Sequence, residues 1–402
     1  MPVQTVRVTL EAVTPLFLGG VDPRGTPELR PPSIKGALRA WWRALYGGVH
    51  PQISSAKLAA AERDVFGNTD SAAPIIIRLP SAKLQTPQEW QPNEYQGIDY
   101  LFFAFRGTRR ESPRRGFPAG QQFDLILQTR PGANPEVANA AFKQACAALW
   151  LWVWFGALGA RSRRGAGCLR ALSFSGDWPD DLPNLVISAT NPVEYLQESE
   201  VGLKALYDGL GWNYPPTDDV TPSNFNILHP RAGHVHVLGR PFGSWQQALN
   251  TLGEAYQQFR SRYQPDYDNV KAVVSGRSNR MNPVERAAFG LPIVFYYRSL
   301  GGQNGTLEGE KSDRRASPLA FHVTRLANGH YLLLLVYFRA QLLPKRSGLK
   351  LKRRGRPVIA DQPDDSLVGQ FLLTISRQKI GDQPNDLFIA ARRAISFPGG
   401  ES

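Results

Sequence analysis

An α+β fold follows from three features of the sequence. Alternating apolar and polar residues read as half-buried strands at 3–10, 73–79, 122–129 and 169–175, and helical patterning falls between them. One helical stretch, ACAALWLWVWF from Ala145 to Phe155, carries no charge, so it has no solvent face and must be covered by protein on most sides. At 402 residues the chain is long enough to bury a sizeable core and divides most naturally into two domains.

Taken in order, Val3 to Leu10 is the first strand, and Pro15 to Gly20 leads to a turn at Asp22, Pro23 and Gly25. Asp22 there is read as a turn former rather than a catalytic acid. Glu28 to Gly48 (ELRPPSIKGALRAWWRALYGG) holds the first helix, with Ser33 expected as its N-cap and Gly47 and Gly48 as its stop. Ile34, Leu38, Trp41, Trp42 and Leu45 fit its inner face. Lys35, Arg39 and Arg43 recur at i, i+4 and i+8 as a basic stripe, which is either a solvated face or a phosphate contact. Lys57 to Phe66 reads as a second helix stopped by Gly67, and Ala73 to Leu79 as a strand.

Tyr100 to Phe105 is predicted as a further strand. The excursion RGTRRESPRRGFPAG follows, with Arg106, Arg109, Arg110, Arg114 and Arg115 against the single acid Glu111. Such a loop is either a solvated hairpin tip or a segment that orders on nucleic acid or on a neighbouring subunit. Gln122 to Thr129, the apolar helix and Leu169 to Ser175 complete a strand, helix, strands, helix, strand series. This is the βαββαβ order of a ferredoxin-like (RRM-like) domain with insertions, which packs two helices on one sheet face and leaves the other free.

Directly after the apolar helix, Gly156, Gly159, Gly165 and Gly167 bracket Arg161, Arg163 and Arg164. Glycine after a helix is commonly a C-cap, but four glycines with three arginines and no nearby acid favour an anion-binding loop. No P-loop lysine and no GxGxxG after a strand are present, so no nucleotide cofactor is expected.

Composition points the same way. The formal net charge is +13, and arginine outnumbers lysine 36 to 11, a balance suited to bidentate phosphate contacts and stacking on bases. The two cysteines, Cys146 and Cys168, give neither a disulfide framework nor a CxxC metal pair. The amino-terminal stretch alternates like a strand instead of forming a secretory signal, and the run from Ala145 to Ala160 falls short of the ~20 residues a bilayer needs. A cytoplasmic protein with no membrane partner is therefore expected.

In the second half, residues 179–222 are rich in proline and aspartate and read as a linker or insertion between domains spanning 1–178 and 223–402. His234 to Leu238 is a strand, and Ser244 to Tyr263 an amphipathic helix capped by Ser244. Arg286 lies in the segment that follows, and GGQNGTLEGEKSDRRASP carries Lys311, Arg314 and Arg315. Phe321 to Leu326 and Tyr331 to Phe338 form a hairpin turned at Asn328 and Gly329. A second basic loop leading into a strand argues for an internal duplication. From Arg339 to Arg356 there is no acid, and Lys350, Lys352, Arg353 and Arg354 fit either a basic arm on RNA or a subunit contact.

No catalytic set emerges. His229, His234 and His236 cluster, but no cysteine or carboxylate stands beside them to complete a metal site. Asp180 with Asp181, and Asp218 with Asp219, fall in the linker sequence, where solvation explains them.

The proline-rich approach to SIKGALRAWWRAL, the DVFG at Asp64 to Gly67 and the Gly156 to Gly167 loop resemble the repeat-associated mysterious proteins (RAMPs) of CRISPR systems. More narrowly, TPLFLGG before ELRPPSIKGALRAWW, and GLPIVFYY with GEKSDRRASPL, resemble the first numbered RAMP subunit family of type III-B Cmr effector complexes. The resemblance covers nearly the whole chain. It implies two tandem ferredoxin-like RAMP domains and a place near the guide RNA 3′ end, helping to capture target RNA in antiviral defence. The implied partners are guide RNA, target RNA and the other subunits. Because cutting in such complexes is attributed to the repeated backbone subunit, it also implies a non-catalytic role. Two alternatives stay open: a metal-independent endoribonuclease with a histidine base that processes CRISPR RNA, and a scaffold whose basic faces dock acidic proteins.

Overall fold

Alternation makes β1 (Thr5–Ala12) a strand that turns Val6, Val8 and Leu10 wholly into the core of the computed structural model, which describes residues 2–22, 24–80, 84–92, 94–109, 111–216 and 225–377. α1 (Pro31–Val49), α2 (Ser55–Phe66) and β2 (Ile75–Arg78) follow. α1 starts two residues before Ser33, because Pro31 and Pro32 already have helical φ and lack the N–H groups a cap would serve. β3 (Gln88–Glu89) and β4 (Arg115–Gly116) pair with each other and flank α3 (Gln96–Leu101) in sequence. β5 (Gln122–Thr129), α4 (Pro135–Phe155) and β6 (Leu169–Gly176) complete the unit. Its sheet is antiparallel with order β2-β5-β1-β6.

One expectation needs correction. Tyr100 to Phe105 is not a strand: α3 runs into a 3₁₀ turn at Phe103–Phe105. Ile98, Leu101, Phe102 and Phe105 are its buried residues, at helical spacing. α3 crosses a later helix where two glycines meet, since a Cβ on Gly97 would lie 2.2 Å from the Asn250 carbonyl oxygen. Within the segment read as a linker or insertion, residues 192–210 form the helix α5 (Pro192–Leu210), capped by the Asn191 side chain on the Val193 and Glu194 amides.

α5 and the segment before it are the cover that α4 requires. The Trp150 and Trp154 indoles donate to the Asn184 and Leu185 carbonyls, and the Tyr195 hydroxyl donates to the Trp154 carbonyl. Gly202 leaves room for the Trp150 ring, which would lie 2.4 Å from a Cβ there. Every residue from Ala145 to Phe155 is buried as a result.

The second half comprises β7 (Gly233–Val237), α6 (Trp245–Arg262), α7 (Gln264–Val274), β8 (Ile293–Tyr297), β9 (Gln303–Gly309), β10 (Leu319–Arg325), β11 (Tyr331–Phe338), β12 (Leu349–Lys352), β13 (Val358–Ala360) and α8 (Ser366–Arg377). Strand order β10-β11-β7 repeats the β2-β5-β1 order of the first half, again antiparallel. β8 and β9 are inserted before that hairpin and β12 and β13 after it, and the four make their own sheet, β13-β12-β9-β8. The acid-free run 339–356 is thus partly a strand: Leu349 to Lys352 pair with β9 and β13.

The halves share a core, in which Leu45, Trp152 and Phe155 cluster with Val235, Leu334 and Phe338. Across the seam the Val323 amide donates to Cys168 Sγ at 3.3 Å.

Candidate nucleic-acid interface

The glycine and arginine loop sits on this seam. Leaving α4, the chain is held by Leu158 N–H to Gly167 O and Ala160 N–H to Phe17 O. It turns at Arg161, whose φ of 58° is unusual for a residue with a side chain, and passes through a 3₁₀ turn at Ser162–Arg164. Gly159, Gly165 and Gly167 all have positive φ. They do not hold the backbone open for a ligand as the sequence suggested. A Cβ on Gly167 would lie 2.0 Å from the Leu158 carbonyl oxygen, on Gly159 2.4 Å from Phe17 O, and on Gly165 2.4 Å from Leu249 Cδ1. Gly156 likewise fits between Trp41 and Trp152. These glycines close the loop onto its own protein.

The three arginines diverge. Arg164 turns inward and donates to the carbonyls of Arg163 (3.0 Å), Leu319 (3.1 Å) and Phe289 (3.2 Å) and to the Tyr256 hydroxyl (3.1 Å), with its guanidinium over the Tyr256 and Phe321 rings. It ties the halves together and is not available to phosphate. Arg161 lies 4.5 Å over the exposed Phe103 ring, and burial, then Arg164, pushes it down to about 10. Arg163 points the other way. One of its guanidinium nitrogens donates to Ser317 O, and burial followed by the nearness of Arg315 and Arg164 pushes it down to about 10. The two basic loops that the sequence singled out in separate halves therefore meet where Arg163 bonds Ser317 O, two residues past Arg315.

Beneath Arg163 opens a cavity of ≈ 310 Å³. One wall is the face of α1 that carries Ser33, Ala37, Ala40, Trp41 and Ala44. The loop contributes Gly156 to Gly159, Ser162 and Arg163. Phe155, Asn226 and the β10 and β11 residues Phe321, Val336 and Phe338 close it, and among the described residues no carboxylate lines it. Sequence reasoning missed Ser33, Ser162 and Asn226 as candidates, and it weighed Trp41 as a ring for base stacking but read it as core. The legible signal was the small-residue row at 37, 40 and 44, one helical face free of bulk.

The expected stripe on α1 lies elsewhere. At about 100° per residue its centre is roughly 140° around the helix from the cavity face. There Arg39 and Arg43 both pair with the buried Glu62 carboxylate of α2, the latter at 3.3 Å. Lys35 has no carboxylate partner among the described residues and is lowered by burial and then by Arg39 and Arg130. A stripe open to phosphate is thus reduced to one lysine, because the acid that neutralises it is 23 residues away in sequence. Arg286 is also internal, bonded to Asp266 at 3.2 Å and set over Phe295.

On the second basic loop Lys311 and Arg314 are exposed, and Arg315 donates to the Gln341 carbonyl. In the excursion Arg109 is exposed, Arg114 lies over Phe105, Arg115 donates to Pro87 O, and Arg110 is outside the described residues. Lys352 pairs with Glu308 at 2.5 Å and Arg353 donates to Val273 O and Asn279, while Lys350 is half-buried and Lys345, Arg346, Arg354 and Arg356 are exposed. The free sheet face expected of the first half carries acids as well as cations: Asp124 pairs with Arg7, and Glu11 with Arg170.

Histidine offers no assembled chemistry. His322 is wholly inside the protein, and burial depresses it to about 4 in spite of the Gly156 backbone close to its ring. His236 is depressed to about 4 by burial and then by His234. Among the described residues no three His, Cys, Asp or Glu side chains group to hold a metal, and no helix is long and apolar enough to cross a membrane.

Known proteins resemble this arrangement. The RAMP superfamily pattern matches residues 9–170, which run from β1 through α1, α4 and the loop into β6. The CRISPR system Cmr subunit Cmr1-2 of Pyrococcus furiosus is 31% identical over 182 residues, covering 40% of this chain and 91% of that protein. The chain belongs to the RAMP superfamily. Cmr subunit Cmr1-1 of the same organism is 26% identical to this RAMP protein over 344 residues, 84% of the chain and 88% of the relative. Among solved structures, apo Cmr1 from Pyrococcus furiosus aligns with TM-score 0.57 at 24% identity, covering 88% of this chain and 93% of that one. A chain of the type III-B Cmr-beta complex bound to cognate target RNA and AMPPnP aligns with TM-score 0.53 at 12% identity, covering 85% and 97%. These likenesses show a shared RAMP fold.

Proposed function

We propose that this RAMP protein is a non-catalytic, RNA-binding subunit of a type III-B CRISPR effector complex, built from two ferredoxin-like domains in tandem. The repeated strand order supports the tandem reading, with β7, α6, β10, β11 and α8 in the places of β1, α1, β2, β5 and α4. Subunit membership rests on the Cmr names of the relatives. RNA binding rests above all on one observation: the cleft on the seam has Arg163 in its lining and, among the described residues, no carboxylate there. A +13 chain with a guanidinium at a carboxylate-free cleft is suited to a phosphodiester backbone. Contacts of this kind read charge and shape, while guide pairing reads sequence. In a complex the cleft would lie near the guide RNA 3′ end and help capture target RNA.

The test is binding of a labelled single-stranded RNA to the purified chain across a salt series, with and without EDTA. Retention without cleavage is expected. Each phosphate neutralised on a single strand steepens the salt slope by ~0.7, so Arg163→Ala with Arg315→Ala should flatten it by about 1.4. An unchanged slope would remove the cleft from the proposal, and EDTA-resistant cleavage would replace it with the endoribonuclease reading.

A further inference from the structure

We propose that the cavity under Arg163 receives a single nucleobase turned out of the bound RNA strand. This deepens the RNA-binding reading and rests on it. The first support is the hydrogen-bond state of the tryptophans on α1 and α4. Trp42 donates to Gln144, Trp150 to Asn184 O, Trp152 to Ala157 O and Trp154 to Leu185 O. Trp41 is the exception: its indole N–H has no acceptor among the described residues, and Trp41 is the one of the five that lines the cavity. Trp41 is half-buried and its N–H can be reached from outside the protein, so a ligand atom with a lone pair can accept from it.

The walls narrow the class further. Ala37, Ala40 and Ala44 give one smooth side, and Trp41 gives aromatic surface together with Phe155 and Phe338, whose ring centroids lie 6.3 and 6.0 Å from its own. Flat aromatic ligands pack on such surfaces, and single-strand binders stack bases in this way regardless of sequence. At ≈ 310 Å³ the cavity is at the small end of the ~300–1,000 Å³ found for ligand sites, enough for one ring system and its sugar. Ser33, Ser162 and Asn226 place further polar groups around it. Finally, Arg163 stands at the same cavity, so the ligand that enters should trail negative charge. An apolar side chain from a protein partner would satisfy neither the indole N–H nor the Arg163 guanidinium. A base on its phosphodiester satisfies both.

The experiment compares two 12-nucleotide probes, an oligoribonucleotide with bases and one made wholly of stable abasic ribonucleotide analogues. The full chain should bind the first about tenfold more tightly, the scale of one stacked base. Ala40→Leu fills the mouth at an exposed, helix-tolerant position. It should abolish that preference and leave affinity for the abasic probe unchanged. Trp41→Phe keeps a ring but removes the N–H, and should reduce the preference several-fold. Thermal unfolding of both variants should match the parent. Equal binding of the two probes by the parent chain, or a preference that survives Ala40→Leu, overturns the base pocket while RNA binding stands. Failure of the parent chain to retain either probe overturns RNA binding itself.

Discussion

Replacing Arg164 by alanine should destabilise the protein without removing a phosphate contact, whereas replacing Arg163 should do the reverse. The Arg164 guanidinium makes four hydrogen bonds of 3.0 to 3.2 Å, three of them to the second half. A hydrogen bond to a charged group contributes about 1.5–3 kcal/mol, so the gross loss is on the order of 6–12 kcal/mol. Against this stands the cost of burying a guanidinium among carbonyls and a hydroxyl, several kcal/mol, which the alanine variant no longer bears. Water entering the vacated space restores some partners for the stranded carbonyls. A net loss of about 3 kcal/mol results. With an unfolding entropy near 0.8 kcal/mol/K for a chain of this length, Tm should fall by about 4 °C. Differential scanning fluorimetry reads this directly, and filter binding of a single-stranded RNA at two salt concentrations reads the other half. Arg163→Ala, which gives up one bond to Ser317 O against the four of Arg164, should lower Tm by no more than about 2 °C and weaken RNA binding most at low salt. An Arg164→Ala protein as stable as its parent but unable to bind RNA would refute the division of labour between these neighbours.

Gly167→Ala puts a Cβ 2.0 Å from a carbonyl oxygen at a φ of 69°, so it should cost more than ~2 kcal/mol and show as a lower Tm or insoluble expression. Removing Arg39 and Arg43 together strands the buried Glu62; because both arginines are partly solvated the cost should be about 1–3 kcal/mol, with RNA affinity within about twofold of the parent by filter binding. His322 is held at about 4 against an ordinary 6.5, so the unfolded chain takes up its proton first as pH falls. Its contribution is complete above about pH 6.5 and lost on the way to pH 4, about 3 kcal/mol in all, and His322→Leu should remove that share of the fall in urea titrations across this range.

Strand periodicity and turn residues located most elements, because each is set by neighbours within a few positions. β5 at Gln122–Thr129 and the cap of α6 at Ser244 were legible in this way, the latter accepting from the Gln247 amide. Tyr100 to Phe105 was not, because a short aromatic run satisfies either period until its packing partner is known. The cover over α4 was hidden for a related reason: proline and aspartate mark the bends before α5 and say nothing of Tyr195, Leu203 and Tyr207 packing behind them.

The candidate site divides along the same line. By itself the sequence determined that an uncharged helix ends in a loop of glycines and arginines on a strongly basic chain, since charge and backbone freedom are carried by each residue alone. Tertiary structure decided which cations remain for a ligand. Glu62 and Asp266 claim Arg39, Arg43 and Arg286, the carbonyls of the second half claim Arg164, and Arg163, held by Ser317 O alone, stands over a cavity walled by Trp41. A guanidinium is neutralised by whatever lies within a few ångströms in space, and the fold sets those distances.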